Sequence, residues 1–104
     1  MILAGRGLFA VAALAALAGC GGGRIESTCL GSGRASASPA LCGCIQAVAD
    51  RELDRADQRI AASFYANPQR AQDIRQSGNP AHRTFWTRYR AFGDQVERSC
   101  ARYR

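Results

Sequence analysis

From residue 38 onward, apolar side chains recur every three or four positions, and nowhere does a run alternate residue by residue. The first spacing lines one face of a helix, whereas alternation would mark a strand. Leu41, Ile45 and Val48 form the first such row. It is entered through Ser38-Pro39, a hydroxyl N-cap followed by the residue best suited to the first helical position. Asp54-Arg55-Ala56-Asp57 offers a fresh N-cap with a carboxylate three residues on, in the manner of a capping box. The segment from Pro39 to Ala66 therefore breaks near Leu53 into two helices, the second turning Ile60 and Phe64 inward with Ala56 beneath them. Asn67-Pro68 repeats the cap-and-proline signal and begins a short helix to about Gln76. Ser77-Gly78 ends it and Asn79-Pro80 starts another. In this last helix Phe85, Tyr89, Phe92, Val96 and Cys100 make one stripe, with Trp86 beside it to close a flank of the core. Gly93 inside the stretch costs up to ~1 kcal/mol relative to alanine and is expected to mark close helix contact. The fold class expected is all-α, a small bundle of three to four helices.

The N-terminal pattern differs. Leu8 to Leu17 is an uninterrupted apolar run behind a short segment carrying one cation, Arg6. A bilayer-spanning helix needs about 20 apolar residues and a signal h-region roughly 7–15, so the run reads as a signal peptide. Leu17-Ala18-Gly19-Cys20 is similar to the lipobox of bacterial lipoproteins, in which the cysteine thiol receives a diacylglycerol and becomes the new N-terminus. Ala16-Leu17-Ala18 also fits an Ala-x-Ala cleavage site, which would release a soluble periplasmic protein instead. Gly21-Gly22-Gly23 follows as a tether. The expected division is residues 1–19 as signal peptide, 20–24 as acylated cysteine and glycine-rich tether, and 25–104 as the folded domain. Glycine rather than aspartate after Cys20 implies, by resemblance to lipoproteins of Gram-negative bacteria, passage to the periplasmic face of the outer membrane.

Export changes the meaning of the five cysteines. With Cys20 set aside, Cys29, Cys42, Cys44 and Cys100 remain, and in an oxidising compartment they are expected to form two disulfides. A Cys42–Cys44 bond would close a strained ring over one residue and ranks last. Two pairings are left, each joining Cys100 and Cys29 to different members of the Cys42/Cys44 pair. Cys44 lies slightly nearer than Cys42 to the row Leu41, Ile45, Val48, and Cys100 lies on the apolar stripe, which favours Cys44–Cys100 with Cys29–Cys42 by a thin margin. The competing reading is a soluble periplasmic thiol–disulfide protein using Cys42 and Cys44, although redox pairs usually occur as Cys-x-x-Cys at a helix start. No metal or other cofactor is expected: His82 is the only histidine, placed where a first helical turn would expose it.

Charge adds less. The chain has 14 basic residues, all arginine, against 8 acids. Arg51, Arg55 and Arg59 alternate with Asp50, Asp54 and Asp57, the pattern of a solvated face. Toward the C-terminus Arg83, Arg88, Arg90, Arg98, Arg102 and Arg104 face only Asp94 and Glu97, which makes them the candidate anion-binding residues. An anionic envelope component is the expected partner, beside the membrane reached through the acyl anchor, and nucleic acid is not expected. No catalytic residues emerge, because there is no Ser-His-Asp grouping, no phosphate-cradling glycine loop and no carboxylate pair in an apolar setting, so the chain reads as a non-enzyme.

Cys42-Gly43-Cys44-Ile45-Gln46, Asp57-Gln58-Arg59, Ala71-Gln72-Asp73-Ile74-Arg75-Gln76-Ser77 and Phe85-Trp86-Thr87-Arg88-Tyr89 resemble a family of small exported alphaproteobacterial proteins commonly labelled "arginine transporter". The resemblance implies a role near arginine uptake and carries no binding or catalytic residues with it. Once the signal is removed, no spanning segment is left for a permease, so any part in transport would be as an accessory to a transport system.

Overall fold

A computed structural model describes residues 23–104; the expected signal peptide and the expected acylation site at Cys20 lie outside the described residues. Five α-helices run in order: α1 (Arg24–Leu30), α2 (Pro39–Glu52), α3 (Arg55–Ala66), α4 (Gln69–Arg75) and α5 (Pro80–Cys100). A 3-10 turn, Ala101–Tyr103, follows, and there is no strand among the described residues. The fold is all-α, closed by two disulfides, with one helix more than the periodicity indicates.

Three starts follow from local chemistry. The Ser38 hydroxyl accepts the Leu41 amide at 3.1 Å, the Asp54 carboxylate accepts the Asp57 amide at 2.8 Å, and the Asn79 side-chain Oδ1 accepts the Ala81 amide at 2.8 Å. Each satisfies an N–H that the first turn leaves without an intrahelical partner. At α4 the register differs: Pro68 rather than Asn67 is the N-cap, without a side-chain bond, and backbone turns from Asn67 and Pro68 carry the start.

α1 is the unanticipated element. Its N-cap is Gly23, which offers no side-chain acceptor. The cap comes instead from α2, where Gln46 Oε1 accepts the Glu26 amide at 2.9 Å. The Gln46 amide nitrogen donates to Asp50 at 2.8 Å and to Gln58 at 2.9 Å, and Gln58 in turn donates to the Leu53 carbonyl at the α2–α3 break. One buried glutamine thus joins the starts of α1 and α3 to the end of α2. A Cβ at Gly23 would overlap that side-chain amide, so any larger residue there would displace the Gln46 cap.

The apolar rows meet in two clusters. Ile25, Leu41, Val48, Ala49, Leu53, Ala61, Ala62, Phe92 and Cys100 form the larger one, drawn from α1, α2, α3 and α5 with Leu53 at the break. Phe64, Ile74 and Phe85 form the smaller, from α3, α4 and α5. Tyr89 packs against both, with Phe64 edge-on at 5.2 Å, Phe85 stacked at 5.6 Å, and Trp86 and Phe92 at 5.2 and 5.8 Å. Such aromatic pairs contribute about 0.5–1.5 kcal/mol each beyond the area they bury.

Three sequence expectations are corrected. Ala56 is exposed; the residue beside it, Asp57, is the buried one. Asp57 does not complete a capping box, because its carboxylate is held by Arg88. Gly93 marks no close contact, since a Cβ there would meet nothing within 4 Å.

Candidate functional site

The four domain cysteines are joined as Cys29–Cys42 and Cys44–Cys100. Residues two apart on a helix point to opposite sides, so Cys42 reaches back to α1 while Cys44 reaches across to the end of α5. Cys42 and Cys44 therefore belong to different bonds, and a dithiol at Cys42-Gly43-Cys44 would require opening both. Cys29, Cys42 and Cys100 are also buried, away from any attacking thiol.

The six C-terminal arginines do not form one patch. Arg88 turns toward α3, where its guanidinium grips Asp57 through Nε at 2.5 Å and Nη2 at 3.0 Å. That two-pronged hydrogen bond holds the Arg88 pKa above its ordinary value, with the Asp57 and Asp54 charges adding to it. The Asp57 side chain is 6% exposed and Arg88's 44%, so this is a half-wet structural pair joining α3 to α5. Arg104 pairs with Glu97 at 2.5 Å, Arg98 donates twice to Gln95, and Arg102 lies over the Tyr103 ring at 5.0 Å. Arg83 donates to the Gly78 carbonyl at 3.2 Å. Arg90 makes no hydrogen bond or ion pair among the described residues and borders a shallow hollow with Trp86, Thr87, Ala91 and Asp94. Arg83 and Arg90 are seven residues apart, two turns of helix, and share the face of α5 turned away from the core.

His82 is half-buried rather than exposed, with Nδ1 at 2.8 Å from the Ser77 hydroxyl, where it fastens the turn between α4 and α5. No group of three or more His, Cys, Asp or Glu side chains among the described residues is arranged to hold a metal ion.

A second constellation comes from residues not singled out in the sequence. Arg34, in the loop between α1 and α2, lies over the Tyr65 ring at 5.7 Å. Arg34, Tyr65 and Tyr89 border a half-open cavity of about 160 Å³ with Ala61 and Phe64 as its apolar walls. Burial pushes both phenols above their ordinary pKa, and the Arg34 charge pulls each back partway. Tyr89 is pushed up further by Tyr65. The three side chains come from a loop and two helices, separated by 31 and 24 positions. No sequence spacing announces them.

Comparison with protein-family models, curated proteins and solved structures finds no match.

Proposed function

We propose that this chain is a non-catalytic docking module, held at the membrane by an acylated Cys20, which engages an anionic envelope surface through the outer side of α5 and its C-terminal turn. The observation that carries this reading is the division of the cysteines. Four are closed within the domain, which leaves Cys20 as the one cysteine without an intrachain partner, three residues ahead of the α1 N-cap. In the sequence that cysteine ends the lipobox-like string. The lipid and the domain are thereby kept close together, and an arginine face on the domain meets whatever lies within reach of a short tether.

Arg83, Arg90, Arg98 and Arg102 are the cations of this face that no acid pairs among the described residues. Each cation near an anionic lipid surface contributes about 1 kcal/mol, so four supply roughly 4 kcal/mol. No helix among the described residues is long and apolar enough to cross a membrane, in keeping with a surface role. The resemblance to proteins labelled arginine transporter supplies the process in which to seek a protein partner, with the chain as accessory rather than permease.

Flotation with lipid vesicles separates the two attachments. The acylated protein should float with zwitterionic and anionic vesicles alike. The Cys20→Ser protein should float only with anionic vesicles at low salt and be released as salt rises. Replacing Arg83, Arg90, Arg98 and Arg102 by Gln should abolish that second binding. A Cys20→Ser protein that ignores anionic vesicles at low salt would remove the docking face. Labelled arginine uptake after deletion tests the transport link, and normal uptake would remove it.

A further inference from the structure

The cavity between Arg34, Tyr65 and Tyr89 has a composition that plain packing does not require. The Tyr89 ring packs against Phe64, Phe85, Trp86 and Phe92, and the residue lines the cavity. Neither the Tyr65 nor the Tyr89 hydroxyl hydrogen-bonds to another described residue, and the Arg34 guanidinium likewise makes no hydrogen bond or ion pair among them. No carboxylate lines the space. Three groups able to donate therefore border one small, half-open cavity whose lining residues supply no acceptor side chain.

The backbone that delivers Arg34 is held in place. Its loop is closed at the base by the Cys29–Cys42 bond, and Gly33 turns it with φ 76°, a left-handed conformation that glycine adopts at no steric cost. The Ser32 hydroxyl fastens the same turn by donating to the Cys29 carbonyl at 2.7 Å. Arg34 is thus presented over Tyr65 by a covalently closed loop.

We propose that this cavity binds the carboxylate of a small organic anion, with Arg34 supplying the charge and Tyr65 and Tyr89 each supplying one O–H donor. One guanidinium balances one negative charge, which suits a carboxylate and leaves a phosphate dianion undercompensated. The lining is mainly polar, with buried Ala61 and Phe64 adding a small apolar floor that suits only a short hydrocarbon body. Phenols with an ordinary pKa of 10.0 are protonated near neutral pH, and burial raises these two further, so both remain donors. This site is independent of the Cys20 anchor and of the α5 arginines.

Trp86 is the only tryptophan and lies 5.2 Å from the Tyr89 ring, which makes its fluorescence a local reporter. The test uses protein purified from cells expressing the full-length sequence, titrated with butyrate, with butyramide, and with inorganic phosphate at matched ionic strength. Tyrosine ring shifts are followed in parallel by NMR. Butyrate should give a saturable change at both reporters, and butyramide none. Arg34→Gln, a change in an exposed loop, should weaken butyrate binding at least tenfold with the circular dichroism spectrum and Tm unchanged. Tyr65→Phe should weaken it severalfold. The proposal is overturned if butyrate gives no saturable response, if butyramide matches it, if phosphate saturates at lower concentration, or if the folded Arg34→Gln protein binds butyrate as well as the parent.

Discussion

Removing the long disulfide, with Cys44 and Cys100 both replaced by alanine, should cost the domain more than removing the short one. The bonds close separations of 56 and 13 residues. In the chain-entropy account the long loop contributes about 4 kcal/mol and the short one about 3, a gap of roughly 1.3 kcal/mol from the logarithm of the loop lengths. Total stability for a domain of this size is about 4–12 kcal/mol at the usual value per residue. Loss of the long bond alone should therefore leave a marginal fold and lower Tm by roughly 20 °C. The geometry points the same way, because Cys44–Cys100 fastens the end of α5 to α2, whereas α1 retains its Gln46 cap and the burial of Ile25 after the short bond is gone. Guanidinium unfolding of the two double-alanine proteins, followed by circular dichroism, measures both costs. A long-bond variant that loses less than about 1 kcal/mol, or a reversed order of the two, would contradict the loop-length ranking.

Other expectations follow from single contacts. Gly93→Ala should stabilise by up to ~1 kcal/mol, since the helix gains propensity and the new methyl meets nothing within 4 Å, and a thermal melt reads it. Gln46→Leu should cost about 1–3 kcal/mol and speed hydrogen exchange at the Glu26 amide, because it strips the α1 cap and takes the donor from Gln58 Oε1, while Asp50 keeps only its bond from Gln58 Nε2 at 3.2 Å. Tyr65 and Tyr89 have folded-state pKa values raised above the ordinary 10.0, so their contribution to stability is complete below that value and is lost as pH rises through the folded values. Tyrosinate absorbance should accordingly appear late for these two and arrive together with alkaline unfolding.

Much of the fold was legible because its signals are local. Ser38, Asp54 and Asn79 each cap the turn that follows them, and a cap with its acceptor and amide within three residues is visible in one short string. Helical geometry puts Cys42 and Cys44 in different bonds, but the choice between the two remaining pairings rests in the sequence only on the slightly closer lie of Cys44 to the apolar row, and the structure has the pairing so favoured. What escaped depends on distant partners. α1 has seven residues, too few to show a period, and its cap stands twenty positions away in Gln46. Asp57 looked like a capping carboxylate because its spacing from Asp54 allows one, but Arg88, thirty-one positions on, offers a charged two-pronged partner that an amide cannot match. The C-terminal arginines stand out as a run, yet a helix spreads neighbours around its axis, and the structure ties the half-exposed Arg88 to Asp57 of α3 while Arg98, Arg102 and Arg104 meet local partners. Arg34, Tyr65 and Tyr89 share no motif; only the closed loop and the crossing of α3 with α5 bring them to one cavity.

Anchoring and stability both turn on how the five cysteines are divided between lipid and fold. Intact mass measurement of the protein recovered from cell envelopes, before and after reduction, tests that division directly. It should give a chain beginning at Cys20 with an added acylglyceryl mass and no alkylatable thiol until reductant exposes four. A chain beginning at Gly19, or a free thiol at Cys20 without lipid, would contradict it.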